Sequence, residues 1–262
     1  MAVVNVTPDS FYEASRMTDE EQVVARVRQA VEEGASIIDI GGYSSRPGAS
    51  DVPLEEEWRR VECGLRAVMS VSADVAISVD TFRSEIARRA LEMSDRVIIN
   101  DITGGDADPR IVEIVAEAGA PYIAMHMRGT PETMQSMTDY KDVVSEVAEA
   151  LKQKAEWLVG QGVDPERLVL DPGFGFAKSA EQNFRLMAHL DRICALGFAV
   201  LAGISRKSMI YKTLGVTPEE SLTGTTALNW EALRQGAAIL RVHDVREAVQ
   251  VVRLFEEFEK NR

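Results

Sequence analysis

The sequence has little of the two residues that most often bind zinc, with two cysteines and three histidines among 262 residues. Cys63 and Cys194 lie far apart, in neither the paired spacing of a zinc site nor that of a redox motif. We therefore expect two thiols on helices rather than ligands or a disulfide. The histidines show no paired spacing either, which argues against a zinc site built from them.

Positive charge is also scarce, since 29 lysine and arginine residues face 42 aspartate and glutamate residues, for a formal net charge of −13. A field of that sign repels nucleic acid and anionic lipid, so we expect neither nucleic acid nor a membrane as a partner. No apolar run is long enough to cross a bilayer, and the first twenty residues lack the basic start and apolar stretch of a secretory signal. These absences predict a cytoplasmic protein.

What the sequence does contain is an alternation of short β-rich apolar runs with longer amphipathic segments. The predicted strands are Ala2–Val6, Ser36–Ile40, Ala76–Val79, Val97–Ile99, Tyr122–Met125, Leu168–Leu170, Phe198–Ala202 and Ile239–Val242. The predicted helices between and after them include Asp19–Glu33, Ser84–Glu92, Val143–Val159 and Val245–Phe258. The expected helix caps and stops are Thr18, Ser179, Gly34, Gly119 and Gly197.

Apolar strands that alternate with helices indicate a parallel sheet covered by helices. Eight such units in 262 residues fit a closed (β/α)8 TIM barrel better than an open doubly wound sheet, although periodicity alone leaves the open sheet as an alternative. With 45% hydrophobic residues and no linker-like segment, residues 1–262 are predicted to form a single domain. The active site of such a barrel lies at the C-terminal ends of its strands.

Hydrogen-bonding or charged residues stand at or directly after the end of every predicted strand. The series is Asn5, Asp39, Asp80, Asn100 with Asp101, His126, Asp171, Ser205 to Lys207, and Arg241 with His243. Any one of them could simply form a turn or cap the next helix. Eight strands in succession with this feature favour a binding site.

Four of the residues near the last two strands are cationic or can become so. Arg206 and Lys207 precede Ser208 in a segment typical of a helix start, where backbone N–H groups bind anions and Ser208 suits the N-cap position. Arg241 and His243 follow the last strand. Such a cluster on an acidic protein predicts an anionic substrate.

The stretch "VLDPGFGFAKS" ends an apolar run with Asp171 and continues with glycines and aromatics. A carboxylate such as Asp171 or Asp80 in an apolar barrel mouth needs partners, and a flat heterocycle with adjacent N–H donors would supply a bidentate pair. We expect one of Phe174 and Phe176 to contact an aromatic substrate and the other to pack inside the barrel. Two interpretations of Lys178 fit equally well: a residue of this site, or a solvated residue at a helix start.

The segment "GGYSSRPGAS" is a long loop rich in glycine and serine, with Arg46 near its middle. Its composition suits a loop that moves over a ligand, and an ordinary surface loop would have the same composition.

Eight stretches together resemble dihydropteroate synthase, the folate-pathway family inhibited by sulfonamides. They are "NVTPDSF" (Asn5–Phe11), "SRPGA" (Ser45–Ala49), "SVDT" (Ser78–Thr81), "IND" (Ile99–Asp101), "MHMRG" (Met125–Gly129), "DPGFGFAK" (Asp171–Lys178), "SRKSM" (Ser205–Met209) and "RVHDV" (Arg241–Val245). They occur in the family's order over nearly the whole chain, so jointly they are far more specific than a lone glycine motif.

The resemblance implies a transferase that joins 6-hydroxymethyl-7,8-dihydropterin diphosphate to p-aminobenzoate with Mg²⁺, releasing diphosphate and 7,8-dihydropteroate. It also implies a homodimer formed through late helices, to which Leu222, Trp230 and Leu233 could contribute apolar surface, although packing within the barrel would explain these three residues equally well. The reaction displaces a diphosphate from a CH₂ group, so cations and Mg²⁺ would stabilise the leaving group and a carboxylate such as Asp80 the carbon.

The resemblance further assigns a role to each matching residue. The pterin would be bound by Asp80, Asn100, Met125, Asp171, Lys207 and Arg241. The diphosphate would be bound by Asn5, Arg46, Arg241 and His243, with Asn5 also reaching Mg²⁺. The p-aminobenzoate would be bound by Phe11, Ser45, Pro47, Phe176, Lys207 and Ser208. The catalytic set implied is Asp80, Arg46, Lys207, Arg241 and His243.

Two other functions fit part of this pattern. A pterin-binding methyltransferase barrel shares the pterin-holding Asp and Asn positions, but it has no use for a diphosphate clamp of Arg46, Arg241 and His243. A pterin-binding paralogue that has lost synthesis would bind the pterin diphosphate and form no product. Departures such as Tyr43, where the family often has Glu, are the reason to consider it.

Overall fold

The computed structural model describes residues 1–6, 16–43, 51–130 and 133–262, without the side chains of residues 16–19 and 135. Four residues of the predicted site, Phe11, Ser45, Arg46 and Pro47, lie outside the described residues.

Eight parallel strands form one sheet in chain order. They are β1 (Ala2–Asn5), β2 (Ile37–Gly41), β3 (Ala76–Asp80), β4 (Val97–Asp101), β5 (Tyr122–Met125), β6 (Leu168–Asp171), β7 (Ala199–Ala202) and β8 (Ile239–Leu240). A bridge between Ala2 and Val242, and a hydrogen bond of 2.9 Å from the Val3 amide to the Val242 carbonyl, join the last strand to the first. The predicted (β/α)8 TIM barrel is therefore confirmed, and the open-sheet alternative is wrong.

Several strands are longer than predicted at their C-terminal ends. β3 continues from Val79 to Asp80, β4 from Ile99 to Asp101, and β6 from Leu170 to Asp171. The reason is that backbone pairing continues past the last apolar residue, as the register of Asp80 with Asn100 shows. These polar residues are consequently fixed by the sheet rather than carried on loops.

Ten α-helices surround the barrel. They are α1 (Arg16–Glu32), α2 (Leu54–Val71), α3 (Ser84–Met93), α4 (Arg110–Ala118), α5 (Val143–Gly160), α6 (Ala180–Ala188), α7 (Asp191–Cys194), α8 (Ser208–Leu214), α9 (Leu222–Arg234) and α10 (Val245–Lys260), counted over the ranges given above. The two cysteines lie in α2 and α7, as predicted. No helix in these ranges is long and apolar enough to cross a bilayer.

The helix ends test the predicted caps. Ser179 forms a capping box with Gln182 at the start of α6, and Gly119 ends α4 in the left-handed conformation, so both predictions are confirmed. Thr18 lies inside α1, because that helix begins at Arg16. Ser208 is the first residue of α8 and Lys207 occupies the N-cap position, so the prediction that Ser208 caps the helix is wrong.

Aliphatic side chains fill the space inside the barrel and between the sheet and the helices. Ile38, Ile40, Ile77 and Ile99 from adjacent strands are fully buried. This packing makes the barrel a rigid platform for the polar residues at its C-terminal rim. The prediction that residues 1–262 form a single domain stays a prediction.

Candidate active site

A buried carboxylate on β2 organises one half of the barrel mouth. Asp39 is fully buried and accepts hydrogen bonds from Ser78 Oγ (2.6 Å) and Asn100 Nδ2 (3.2 Å). Arg241 Nε donates to the same carboxylate over 2.7 Å. Asp39 stood in the predicted series of strand ends but not among the predicted site residues. The sequence did not indicate its role, because its partner Arg241 lies 202 positions away.

Arg241 links two carboxylates that come from different strands. Besides Asp39, it donates from NH2 to Asp80 Oδ2 over 2.9 Å. Burial raises the pKa of Asp80, Arg241 opposes that rise, and the negative charge of Asp39 adds to it. A ligand that brings N–H donors or positive charge to Asp80 is therefore favoured at this position.

Asp171 at the end of β6 and Lys207 at the start of α8 are two further polar residues of the barrel mouth. Asp171 is buried at the end of β6, and its Oδ1 accepts a hydrogen bond from the Gly173 amide over 2.7 Å. Burial raises the pKa of Asp171, and the nearby Lys207 opposes that rise. Burial likewise lowers the pKa of Lys207 to about 8, against the effect of Asp171. The two residues therefore interact electrostatically, and each opposes the effect of burial on the pKa of the other.

The two aromatic residues after β6 differ in burial. The prediction that one of them packs inside the barrel is confirmed, and the predicted contact of the other with an aromatic substrate stays a prediction. Phe174 is fully buried in the core, whereas Phe176 is partly exposed. Lys207 Nζ lies 4.6 Å from the centroid of the Phe176 ring and donates to the Phe174 carbonyl. Met125, at the end of β5, is buried and pairs in register with Asp171. The Lys207 ammonium therefore lies beside the Phe176 ring, and Asp171 lies next to Met125 on the neighbouring strand.

The residues predicted to bind an anion lie at the ends of β1 and β8. Asn5 ends β1, and His243 follows β8 with its Nδ1 3.1 Å from Ser205 Oγ. His243 keeps contact with solvent, yet partial desolvation, and next the charges of Arg241 and Arg206, lower its pKa to about 4. His243 is therefore neutral near pH 7 in the absence of an anion.

Arg206 does not join the predicted cationic cluster as a free charge. Its Nε donates to Asp244 Oδ2 over 3.0 Å, and a second ion-pair contact of 2.5 Å joins NH2 to Oδ1. Its charge is therefore paired within the loops that follow β7 and β8. Ser208 is exposed beside Lys207, at the first residue of α8.

Two other polar strand-end residues have structural partners instead of facing the pocket. Asp101 accepts hydrogen bonds from Thr103 (2.7 Å from its amide), Gly105 (2.8 Å) and Tyr122 (2.7 Å). His126 lies 3.1 Å from Nζ of Lys178. This lysine is buried, so its interpretation as a solvated residue is wrong. Neither position could be assigned without the fold, because polar strand ends look alike in sequence.

Comparison with known proteins decides the family. The model of the family described as "pterin binding enzyme" matches residues 1–243. The chain belongs to the pterin-binding enzyme family. A dihydropteroate synthase of Synechocystis sp. is 42% identical over 255 residues, which cover 97% of this chain and 88% of that protein. The resemblance to dihydropteroate synthase is therefore confirmed.

Solved structures of this family agree. A Xanthomonas albilineans dihydropteroate synthase with 4-aminobenzoic acid matches with a TM-score of 0.91 and 40% identity, covering 99% of this chain and 92% of that one. The same bacterium's enzyme in complex with 7,8-dihydropteroate matches with a TM-score of 0.87 and 37% identity, over 99% and 92% of the two chains. This pterin-binding enzyme therefore shares both sequence and fold with dihydropteroate synthases.

Proposed function

We propose that this pterin-binding enzyme is a transferase of folate biosynthesis that joins 6-hydroxymethyl-7,8-dihydropterin diphosphate to p-aminobenzoate, releasing diphosphate and 7,8-dihydropteroate. The observation that carries the proposal is the set of desolvated polar groups at the C-terminal ends of the strands. Asp171 is affected by the charges of Lys207 and Arg241, and Arg241 donates a hydrogen bond to Asp80. Asn100 donates to Asp39, the other carboxylate that Arg241 contacts. The related Xanthomonas albilineans enzymes hold 4-aminobenzoic acid in one structure and 7,8-dihydropteroate in the other.

The pterin is bound by the buried polar groups of β3, β4 and β6. Asp171 and Asp80 are desolvated acceptors, and the amino and ring N–H groups of a pterin are the donors that satisfy them. Lys207 supplies an N–H donor for the acceptors of the heterocycle. Asn100 adds an amide, and the planar guanidinium of Arg241 can stack on the ring.

Met125 completes the pterin pocket as an apolar, polarisable side chain at the end of β5. The p-aminobenzoate lies against the partly exposed face of Phe176, near Lys207, with Ser208 at the start of α8. The other residues assigned to this substrate, Phe11, Ser45 and Pro47, lie outside the described residues.

The diphosphate lies at the ends of β1 and β8, between Asn5, Arg241 and His243, with Arg46 from outside the described residues. His243 is neutral before binding, and a neighbouring diphosphate would raise its pKa and favour the imidazolium. Three positively charged or chargeable groups on the leaving group match the charge that develops as it departs.

Mg²⁺ fits this donor set. The ion prefers oxygen, and it is usually held by one or two protein oxygens together with substrate phosphates. Within the described ranges no group of three His, Cys, Asp or Glu side chains could hold a metal. The Asn5 amide oxygen with the diphosphate oxygens is then the expected ligand set. When bound, the ion would neutralise charge on the leaving diphosphate.

The reaction breaks the bond between the CH₂ carbon and the diphosphate oxygen, and forms a bond from that carbon to the arylamine nitrogen. Asp80 stabilises positive charge on the pterin and its CH₂ group, while Arg241 and His243 stabilise the departing anion. The arylamine is uncharged near neutral pH, so it attacks without a strong base and loses its proton afterwards.

A homodimer in the cytoplasm belongs to the same proposal. Leu254 and Phe258 of α10 are 66% and 54% exposed, and the Trp230 ring of α9 lies 5.7 Å from that of Phe258. Leu222 and Leu233, in the same helix α9 as Trp230, are partly buried. An apolar surface of this kind on the last helices suits a second copy of the chain. Phe258→Glu should then give monomers in sedimentation experiments, and an unchanged sedimentation coefficient would contradict the dimer.

The decisive experiment follows dihydropteroate directly, using purified protein, dihydropterin diphosphate, p-aminobenzoate and Mg²⁺. We expect product in the wild type and a loss of about 100-fold or more in Arg46→Ala and His243→Ala. If no product forms while calorimetry still detects pterin diphosphate binding, the protein is a binding paralogue rather than a synthase. Methyl transfer from a methylated pterin, without dihydropteroate formation, would instead support the methyltransferase alternative.

A further inference from the structure

Lys178 is a buried lysine that the proposed reaction does not use. It is 5% exposed, and its Nζ lies 3.1 Å from His126 Nδ1, 3.0 Å from the Gly173 carbonyl oxygen and 3.0 Å from the Phe176 carbonyl oxygen. An ammonium has three N–H donors and no acceptor. Each donor of Lys178 therefore has its own acceptor, as expected for a buried lysine with a structural role.

The histidine in this arrangement can accept. Burial, and next the charges of Lys178 and Arg128, lower the pKa of His126 to about 3, so its ring is neutral at physiological pH. With Nδ1 accepting from Lys178, the ring proton is on Nε2. While Lys178 is an ammonium, its contact therefore favours the Nε2–H tautomer of His126.

The turn that Lys178 holds has an unusual backbone. Gly173, Gly175 and Ala177 have φ values of 67°, 81° and 49°, all in the left-handed region. A Cβ on Gly173 would lie 2.1 Å from the His126 carbonyl oxygen, so the turn lies directly against the end of β5. Of the three, only Ala177 has a Cβ, and a non-glycine residue in this region persists only where its surroundings fix it.

Two lysines fix this turn from different sides. Lys178 binds the carbonyl oxygens of Gly173 and Phe176, while Lys207 donates to the carbonyl oxygen of Phe174 between them. Burial lowers the pKa of Lys178 to about 7 and that of Lys207 to about 8, and the charge of Asp171 at the start of the turn opposes both shifts. The turn therefore places a pterin-binding carboxylate and an aminobenzoate-binding ring in one rigid unit.

We propose that Lys178 is a positioning residue for both substrates. Two of its contacts hold the turn from Gly173 to Phe176, and the third ties that turn to His126 after β5. This turn fixes Asp171 for the pterin and Phe176 for p-aminobenzoate. The inference rests on the proposed function, and it adds a residue that touches neither substrate.

The test replaces the ammonium with an apolar side chain of similar length, in Lys178→Met. Lys152→Met on α5 is the matched control, since that lysine side chain is 54% exposed. Initial rates are measured with each substrate varied in turn, thermal unfolding is measured for every variant, and calorimetry gives the affinity for dihydropterin diphosphate alone. Misplacement of binding groups by about 1 Å can cost on the order of 100-fold.

We expect Lys178→Met to raise the KM of both substrates at least about tenfold, with a smaller change in kcat. Lys178→Gln keeps N–H donors for the two carbonyl oxygens, so its KM values should be intermediate; it also serves as the test if the Met variant does not fold. The control should match the wild type. A folded Lys178 variant that is less thermostable but has unchanged KM values and unchanged pterin affinity overturns the inference.

Wild-type turnover separates this inference from the proposed function. If the wild type forms no dihydropteroate, the proposed function fails, and the ratio of pterin affinities in the wild type and Lys178→Met still tests the positioning role. If the wild type binds neither substrate, both are refuted.

Discussion

The Asp39 carboxylate allows a quantitative test of the charge arrangement at the barrel mouth. Asp39→Asn keeps the shape of the side chain, removes its charge and can place an amide N–H against the donors of Arg241. In the wild type this fully buried carboxylate accepts from Arg241 Nε at 2.7 Å and from Ser78 Oγ at 2.6 Å. The change therefore leaves a partly buried guanidinium with one fewer counter-charge.

The expected size of the effect follows from that geometry. Removing one partner of a buried ion pair costs about 3–5 kcal/mol. Arg241 retains Asp80 at 2.9 Å, so we expect the lower end, about 3 kcal/mol. For a protein of this size, about 2–4 °C of melting temperature corresponds to each kcal/mol, which gives a decrease of about 6–12 °C.

Thermal unfolding monitored by circular dichroism measures this decrease, with Asp106→Asn as the control. Asp106 pairs with Lys154, but its side chain is 74% exposed, and such surface pairs are worth about 0–1 kcal/mol. The control should therefore lose at most about 4 °C. If Asp39→Asn loses no more than the control, the Asp39–Arg241 pair does not stabilise the barrel mouth as argued.

Further predictions concern the proposed binding groups. Asp171→Asn turns one acceptor into a donor, so calorimetry should show pterin binding weakened about 10- to 100-fold, and unchanged affinity would remove Asp171 from the pterin site. Lys207 is cationic below its pKa of about 8, so kcat/KM should fall as pH rises through that value, and a profile flat to pH 9.5 would refute a role for its charge. Chelation of Mg²⁺ should abolish turnover, and Asn5→Ala should raise the Mg²⁺ concentration needed for half-maximal rate; an unchanged Mg²⁺ requirement in Asn5→Ala would exclude Asn5 as a ligand.

The sequence predicts the barrel well because every βα unit repeats the same apolar and amphipathic pattern. Since all the strands run parallel, polar residues at their ends must come together at one rim, and Asp80, Asn100 and Asp171 could be assigned to it for that reason. The exact strand ends could not be predicted, because backbone pairing extends into the polar residues while hydropathy reports only side chains.

The side-chain partners of individual polar residues could not be predicted from the sequence. The local surroundings of Lys178 look like a solvated helix start, and only the fold brings His126 and two turn carbonyls around its ammonium. Arg206 likewise looked like part of an anion site, yet it pairs with Asp244 across two loops. The Lys178–His126 and Arg206–Asp244 contacts join residues at least 38 positions apart, a separation at which no local pattern specifies a partner.

The Arg241 contacts also set an order of events during synthesis. Asp39 is made 202 residues before the arginine that balances its charge. At about 5–20 residues per second, roughly 10 to 40 seconds pass before Arg241 is added. During that interval the nascent first strands cannot pair the Asp39 carboxylate with Arg241. The ring itself also closes only after the last strand has emerged, because the contact of Val242 with Ala2 and Val3 joins the two ends of the sheet.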